Sequence, residues 1–323
     1  MSEPDGRGLR HVPARDIPIP VSVSPEAQAQ MAMPTPPAKP FPAPDDLEAW
    51  RTRIAAGNAQ ILAHAVARIS AVPVAVETLD VRGAPVYAVT PSADLRSKEG
   101  VYLDIHGGAL IFGAGECCRA WAVSTAQRIG ARVWSVDYRM PPDHPYPAGL
   151  DDCVNAYREL LTHKEPHQIV VGGNSAGGNL AAAMLLRARD EGLPLPAAAI
   201  LGTPQADLTE SGDSFQTNLG LDALLGSTMP ANLLYAGGQA LDHPYLSPLF
   251  GDFTKGFPPT LLITGTRDLF LSNTVRMHRA LRAADVPADL HVFEAASHGQ
   301  FPDSPEERAL NLEIHQFLDL HWR

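Results

Sequence analysis

The chemistry in this chain starts from Gly173-Asn174-Ser175-Ala176-Gly177-Gly178, a G-x-S-x-G pattern that follows a short apolar run and opens a helical one. A serine between two glycines at such a junction sits on a strained strand-to-helix turn, where a side chain at either glycine would collide with neighbouring backbone. A hydroxyl there is a weak nucleophile until a base takes its proton and a carboxylate orients that base. The base expected here is His298 in Glu294-Ala295-Ala296-Ser297-His298-Gly299. The carboxylate expected is Asp268 in Gly265-Thr266-Arg267-Asp268. Both segments lie just past apolar runs that read as strands, at 260–264 and 290–293. His291 falls inside a strand, and His163 and His167 lack the H-E-x-x-H zinc spacing. For the carboxylate, Asp303 and Glu294 also lie near strand ends, while Asp207 precedes an irregular segment and reads as structural. A fourth segment, His106-Gly107-Gly108-Ala109, follows the apolar run 101–105. Acyl transfer develops an oxyanion, and the backbone N–H groups of Gly107, Gly108, Ala109 and Ala176 are the expected donors to it.

These residues need a scaffold that brings strand ends to one edge. After Pro73 the pattern alternates between strand-like runs (74–79, 85–90, 101–105, 133–136, 168–171, 197–201, 260–264, 290–293) and helix-like ones (121–129, 150–161, 179–190, 273–283, 306–321). Repeated β-α units imply an α/β class with a mostly parallel, doubly wound sheet of about eight strands. Between 204 and 257 the alternation lapses, with a short apolar helix expected at 221–225. Such insertions usually cross the sheet edge where ligands bind. Before the sheet, Asp45 or Asp46 can cap a helix carrying Leu47, Trp50 and Ile54, and Gly57-Asn58 divides it from a second helix carrying Leu62, Val66 and Ile69.

Composition narrows the function classes. The chain has 323 residues, with 25 Lys+Arg against 36 Asp+Glu, a formal charge of −11. That balance excludes a basic nucleic-acid footprint, which needs clustered cations. Of the 30 prolines, 11 fall in the first 45 positions, so 1–44 reads as extended, polyproline-like chain. The expected organisation is an N-terminal arm and cap helices over 1–72, then one catalytic domain over 73–323. Cys117, Cys118 and Cys153 are odd in number, and the adjacent pair matches neither a disulfide framework nor a zinc spacing. Together with an N-terminus lacking an apolar leader and the absence of an 18-residue apolar stretch, this predicts a cytoplasmic protein with no membrane span. No metal or organic cofactor is expected, and no phosphate-binding loop is present.

The chain resembles the hormone-sensitive-lipase-like family of bacterial α/β-hydrolase carboxylesterases. The resemblance rests on His106-Gly107-Gly108, the elbow Gly173–Gly178, the segment Asp137-Tyr138-Arg139-Met140-Pro141-Pro142-Asp143-His144-Pro145-Tyr146-Pro147-Ala148, and the late Asp268 and His298. It implies Ser175 as nucleophile, Asp268 and His298 as its partners, and a cap built from the N-terminal helices and the 204–257 insertion. It implies hydrolysis of a small-molecule ester of short to medium chain. A lactonase or an aryl-amide or formamide hydrolase would use the same groups, and a non-catalytic receptor on this fold would lack the histidine. The departures are Ala109 where a third glycine is common, Asn174 before the serine, and Leu269 after the aspartate. Trp50, Ile54, Leu221, Leu224 and Leu225 are the expected lining of an apolar pocket under the cap. The loop 138–148 is expected to buttress the site. Relatives often pair through the last sheet edge, so a homodimer is expected by analogy.

Overall fold

A computed structural model describes residues 12–34, 40–92, 96 and 99–322. Eight strands, β1 (Val74–Val81), β2 (Ala84–Pro91), β3 (Val101–Ile105), β4 (Arg132–Val136), β5 (Ile169–Asn174), β6 (Ala198–Gly202), β7 (Thr260–Gly265) and β8 (Ala288–Phe293), form one sheet in the order β1-β2-β4-β3-β5-β6-β7-β8. β1 and β2 run antiparallel to their neighbours; the six from β4 to β8 in that order are parallel. Every residue of β3 and β7 is buried, as strands covered on both faces require. In the register, Ile105 lies beside Gly173, Asn174 beside Gly202, and Gly265 beside Phe293. The loops after β3, β5, β7 and β8 therefore emerge at one edge, and each carries one of the candidate groups.

Helices on both faces close the two cores. α3 (Glu116–Ile129) and α9 (Pro305–His321) cover one face through Cys118, Ala122, Ile314 and Phe317. α4 (Ala148–Leu160), α5 (Ala176–Asp190) and α8 (Leu271–Ala283) cover the other through Tyr157, Leu180 and Leu281. No helix of the described residues is long and apolar enough to cross a membrane.

Three expectations are corrected. The two short helices before the sheet are a single one, α2 (Leu47–Ala67), capped by the Asp46 carboxylate accepting from the Ala49 amide. Gly57 does not break it, because the missing side chain is needed there: a Cβ would stand 2.5 Å from the Phe112 ring. Asn58 accepts from the Gly113 amide at 2.9 Å, so the pair read as a breaker is the contact of α2 with the loop after β3.

The proline-rich arm holds a helix, α1 (Pro25–Met31), in which proline occupies the first turn, where no amide partner is lost. Ser24 caps it, and the Ser24 amide and hydroxyl both donate to Glu306, each at 2.7 Å. Ala27 and Val23 pack on Ala295, Ala296 and Phe301, around the His298 loop. Residues 1–11 and 35–39 of the expected polyproline segment lie outside the described residues. Ser24→Ala is expected to cost about 1 kcal/mol through the lost cap. A lower denaturation midpoint with an unchanged slope would register it.

At 221–225 there is no helix; the insertion instead carries α6 (Ser214–Thr217) and α7 (Met229–Ala236). The Asp222 carboxylate accepts from the Leu224 and Leu225 amides and fixes this segment as a turn.

Candidate active site

β5 passes directly into Ser175, whose φ of 60° and ψ of −122° lie in the strained left-handed half of backbone space. The turn can be this tight because two glycines let backbones meet. A Cβ on Gly173 would lie 2.4 Å from the Gly177 carbonyl carbon, and one on Gly177 would lie 1.9 Å from the Ile105 oxygen. Three backbone bonds hold the strained residue: the Ser175 amide donates to Gly202, and the amides of Asn179 and Gln205 donate to the Ser175 carbonyl.

The Asp268 carboxylate is fully buried and has a donor for each oxygen. Oδ2 accepts from the Thr264 hydroxyl at 2.7 Å, while Oδ1 accepts from the Phe270 amide at 2.8 Å and from His298 Nδ1 at 3.1 Å. The His298 ring meets Phe270 edge-on at 4.9 Å and is 5% exposed. His298 therefore has one fixed tautomer, with Nδ1 carrying the proton and Nε2 left as the basic nitrogen. Asp303 is 89% exposed on its side chain and pairs with Arg68, while Asp207 is buried on Arg276 at 2.7 Å. Burial would raise Asp207, but hydrogen bonds from Thr209, Ser211 and Arg276 outweigh it and hold the carboxylate below its ordinary range.

The loop after β3 presses on the serine turn, since a Cβ on Gly107 would stand 2.8 Å from the Asn174 oxygen. Gly108, at φ 120°, accepts from the Ile111 and Phe112 amides, and a Cβ there would meet the Phe112 oxygen at 2.2 Å. Ala109 follows at φ 53°. Among the described residues, the N–H groups of Gly107, Gly108, Ala109 and Ala176 have no protein acceptor. The last stands at the N-terminus of α5, where unpaired amides favour negative charge. Behind the loop, the Tyr138 hydroxyl donates to the His106 carbonyl at 2.9 Å, and Arg139 makes a bidentate pair with buried Asp152. The 138–148 segment thus braces the loop from below.

Ser175, His298 and the 107–109 loop line one cavity of about 710 Å³. Of the expected apolar lining, Leu224 and Leu225 face it. Trp50, Ile54 and Leu221 do not: Trp50 is fully buried against Ile111 and Ala231, Ile54 packs beside it, and Leu221 is only half-buried outside the cavity. Phe41, Phe112 and Ile61 supply apolar wall in their place.

Asp222, which no sequence motif marks, joins the site. Its Oδ2 accepts from the Leu269 amide at 2.8 Å and from the His298 amide at 3.2 Å, tying the Asp268 and His298 loops together. Asn218 donates to the Asp268 and Thr266 carbonyls from the same insertion. Asp222→Ala frees both loops. Because a misplacement of about 1 Å can cost on the order of 10²-fold in rate, kcat is expected to fall by about that factor with little change in KM. Steady-state kinetics on a chromogenic acetate ester would measure it.

Known proteins share this fold. Residues 102–302 match the family described as alpha/beta hydrolase fold. An acetyl-hydrolase of Streptomyces hygroscopicus is 34% identical over 199 residues, covering 61% of this chain and 66% of that one. An esterase of Acinetobacter venetianus is 32% identical over 226 residues, 67% of this chain and 74% of its own. The crystal structure of an esterase superposes with a TM-score of 0.90 at 36% identity, covering 98% of this chain and 99% of that chain. Another, of an esterase from the bacterial hormone-sensitive lipase family, gives 0.75 at 31%, over 93% and 99%. By the family match over most of the chain and these relatives, the chain belongs to the α/β-hydrolase fold family, in its hormone-sensitive-lipase-like branch.

Proposed function

We propose that the protein is a serine carboxylesterase acting on short- to medium-chain esters of small alcohols. The observation that carries this reading is the buried His298–Asp268 pair, at 3.1 Å, whose histidine shares a cavity with a serine held on a strained turn. Ser175 Oγ attacks the ester carbonyl while His298 Nε2 takes its proton, and the Asp268 carboxylate stabilises the imidazolium. The tetrahedral oxyanion sits among the free amides of Gly108, Ala109 and Ala176, with Gly107 beside them. His298 then gives its proton to the leaving alcohol, which departs and leaves an acyl-serine. Water, deprotonated by His298, adds to the acyl carbon; the intermediate collapses to release the acid and restore the hydroxyl.

The cavity volume of about 710 Å³ and its walls at Leu224, Leu225, Phe41 and Phe112 suit an acyl chain of a few to several carbons. A series of p-nitrophenyl esters from acetate to laurate, with γ-lactones and anilides in parallel, tests the reading. The expected optimum lies among the short and middle esters. Faster turnover of lactones or anilides than of every ester would replace the substrate class while keeping the machinery.

A further inference from the structure

Cys117 and Cys118 stand together at the start of α3, and sequence spacing assigns them no role. The fold supplies partners from two other elements. His106 after β3, Cys118 in α3 and Asp137 after β4 each present one donor atom, all within 4.8 Å of one another. His106 and Cys118 are 3% and 0% exposed, and Asp137 is half-buried. His106 Nδ1 lies 2.8 Å from the Gly107 carbonyl oxygen and donates to it, leaving Nε2 as the lone-pair nitrogen. That Nε2 is buried without a protein partner, which interiors rarely tolerate. A ring whose one N–H is spent on a backbone carbonyl is the usual form of a metal-binding histidine. The Asp137 carboxylate is oriented by the Gly115 amide at 3.0 Å and faces the Tyr87 hydroxyl at 3.5 Å. Cys118 Sγ has only a weak contact, 3.5 Å, with the Ser135 hydroxyl.

We propose that His106, Cys118 and Asp137 form an inhibitory site for a thiophilic divalent cation of the zinc and cadmium class. Nitrogen, thiolate and carboxylate donors suit such ions, and ligands at about 2.0–2.3 Å from zinc stand roughly 3.5 Å apart, so the cluster closes by a shift of about 1 Å. On binding, the Cys118 thiol releases its proton to solvent and a sulfur–metal bond forms; solvent fills the remaining position. His106 and Trp121 line the catalytic cavity, which gives the ion a way in. Because His106 opens the loop that carries the Gly107–Ala109 amides, drawing it toward the ion displaces those amides and slows turnover. This last consequence rests on the oxyanion role proposed above; the binding does not.

The test is titration of the full chain with Co²⁺ and Cd²⁺, read by sulfur-to-metal charge-transfer absorption and by equilibrium dialysis. One ion per chain is expected, with the band present in wild type, in Ser175→Ala and in Cys117→Ser. It is expected to vanish in Cys118→Ser and Cys118→Ala, with affinity lower by about tenfold or more. Zn²⁺ should inhibit ester turnover reversibly, with EDTA restoring it. Absence of the band in wild type overturns the proposal whether or not the variants fold, and so does a band that follows Cys117. Binding without inhibition would refute the inhibitory role alone, and loss of activity in Ser175→Ala without loss of the band keeps the two readings separate.

Discussion

Ser175→Ala is expected to lower kcat by on the order of 10⁴–10⁶-fold, with the fold and KM nearly unchanged. The loss is large because alanine leaves no hydroxyl on the strained turn to form the acyl intermediate. Catalysis would then rest on the amides and on binding alone, and these hold only a small part of the rate. The fold should survive because alanine suits the position at least as well as serine. The strain at φ 60° belongs to the backbone, and the bonds that hold it, to Gly202, Asn179 and Gln205, are backbone bonds. Residual rate within a factor of ten of wild type would mean that another nucleophile carries the reaction.

Asp268→Asn is expected to lower kcat by on the order of 10⁴-fold while leaving the thermal midpoint close to wild type. The geometry explains why the change isolates charge from structure. Oδ1 receives two donors, from Phe270 and His298, whereas Oδ2 faces the Thr264 hydroxyl, which can turn to accept. The asparagine amide therefore seats its oxygen at the Oδ1 position and its NH₂ toward Thr264, and every hydrogen bond persists. Only the negative charge that stabilises the imidazolium is lost, inside a site where burial makes that charge count. Retention of more than a tenth of the wild-type kcat in a folded Asp268→Asn protein would remove Asp268 from the mechanism.

Much of this arrangement is readable from sequence because it depends on short-range signals. Buried parallel strands are short apolar runs, and the residues that leave them at one edge are marked by glycines that nothing else can replace: Gly107 against Asn174, Gly173 against Gly177. The eight strands follow from that pattern to within two residues at almost every end. The failures have physical causes too. Gly57-Asn58 reads as a breaker because local propensity disfavours glycine in a helix, yet contact with Phe112 and Gly113 overrides it. Pro25 reads as extended chain, though proline at the first helical position costs nothing. Trp50 is an apolar residue on a helix near the cap, but whether such a face meets a cavity or a neighbouring side chain is decided by packing between distant segments. Asp222 is invisible for the same reason. Its bonds to Leu269 and His298 join residues 47 and 76 positions away, with no spacing to announce them.

The nucleophile role proposed for Ser175, with His298 as its base, is checked by reacting the wild-type protein with a fluorophosphonate and locating the adduct by peptide mass spectrometry. One phosphonyl group per chain is expected, on the peptide bearing Ser175, with labelling abolished in Ser175→Ala and strongly slowed in His298→Ala. An adduct on any other residue, or no adduct on a folded protein that still hydrolyses esters, would contradict it.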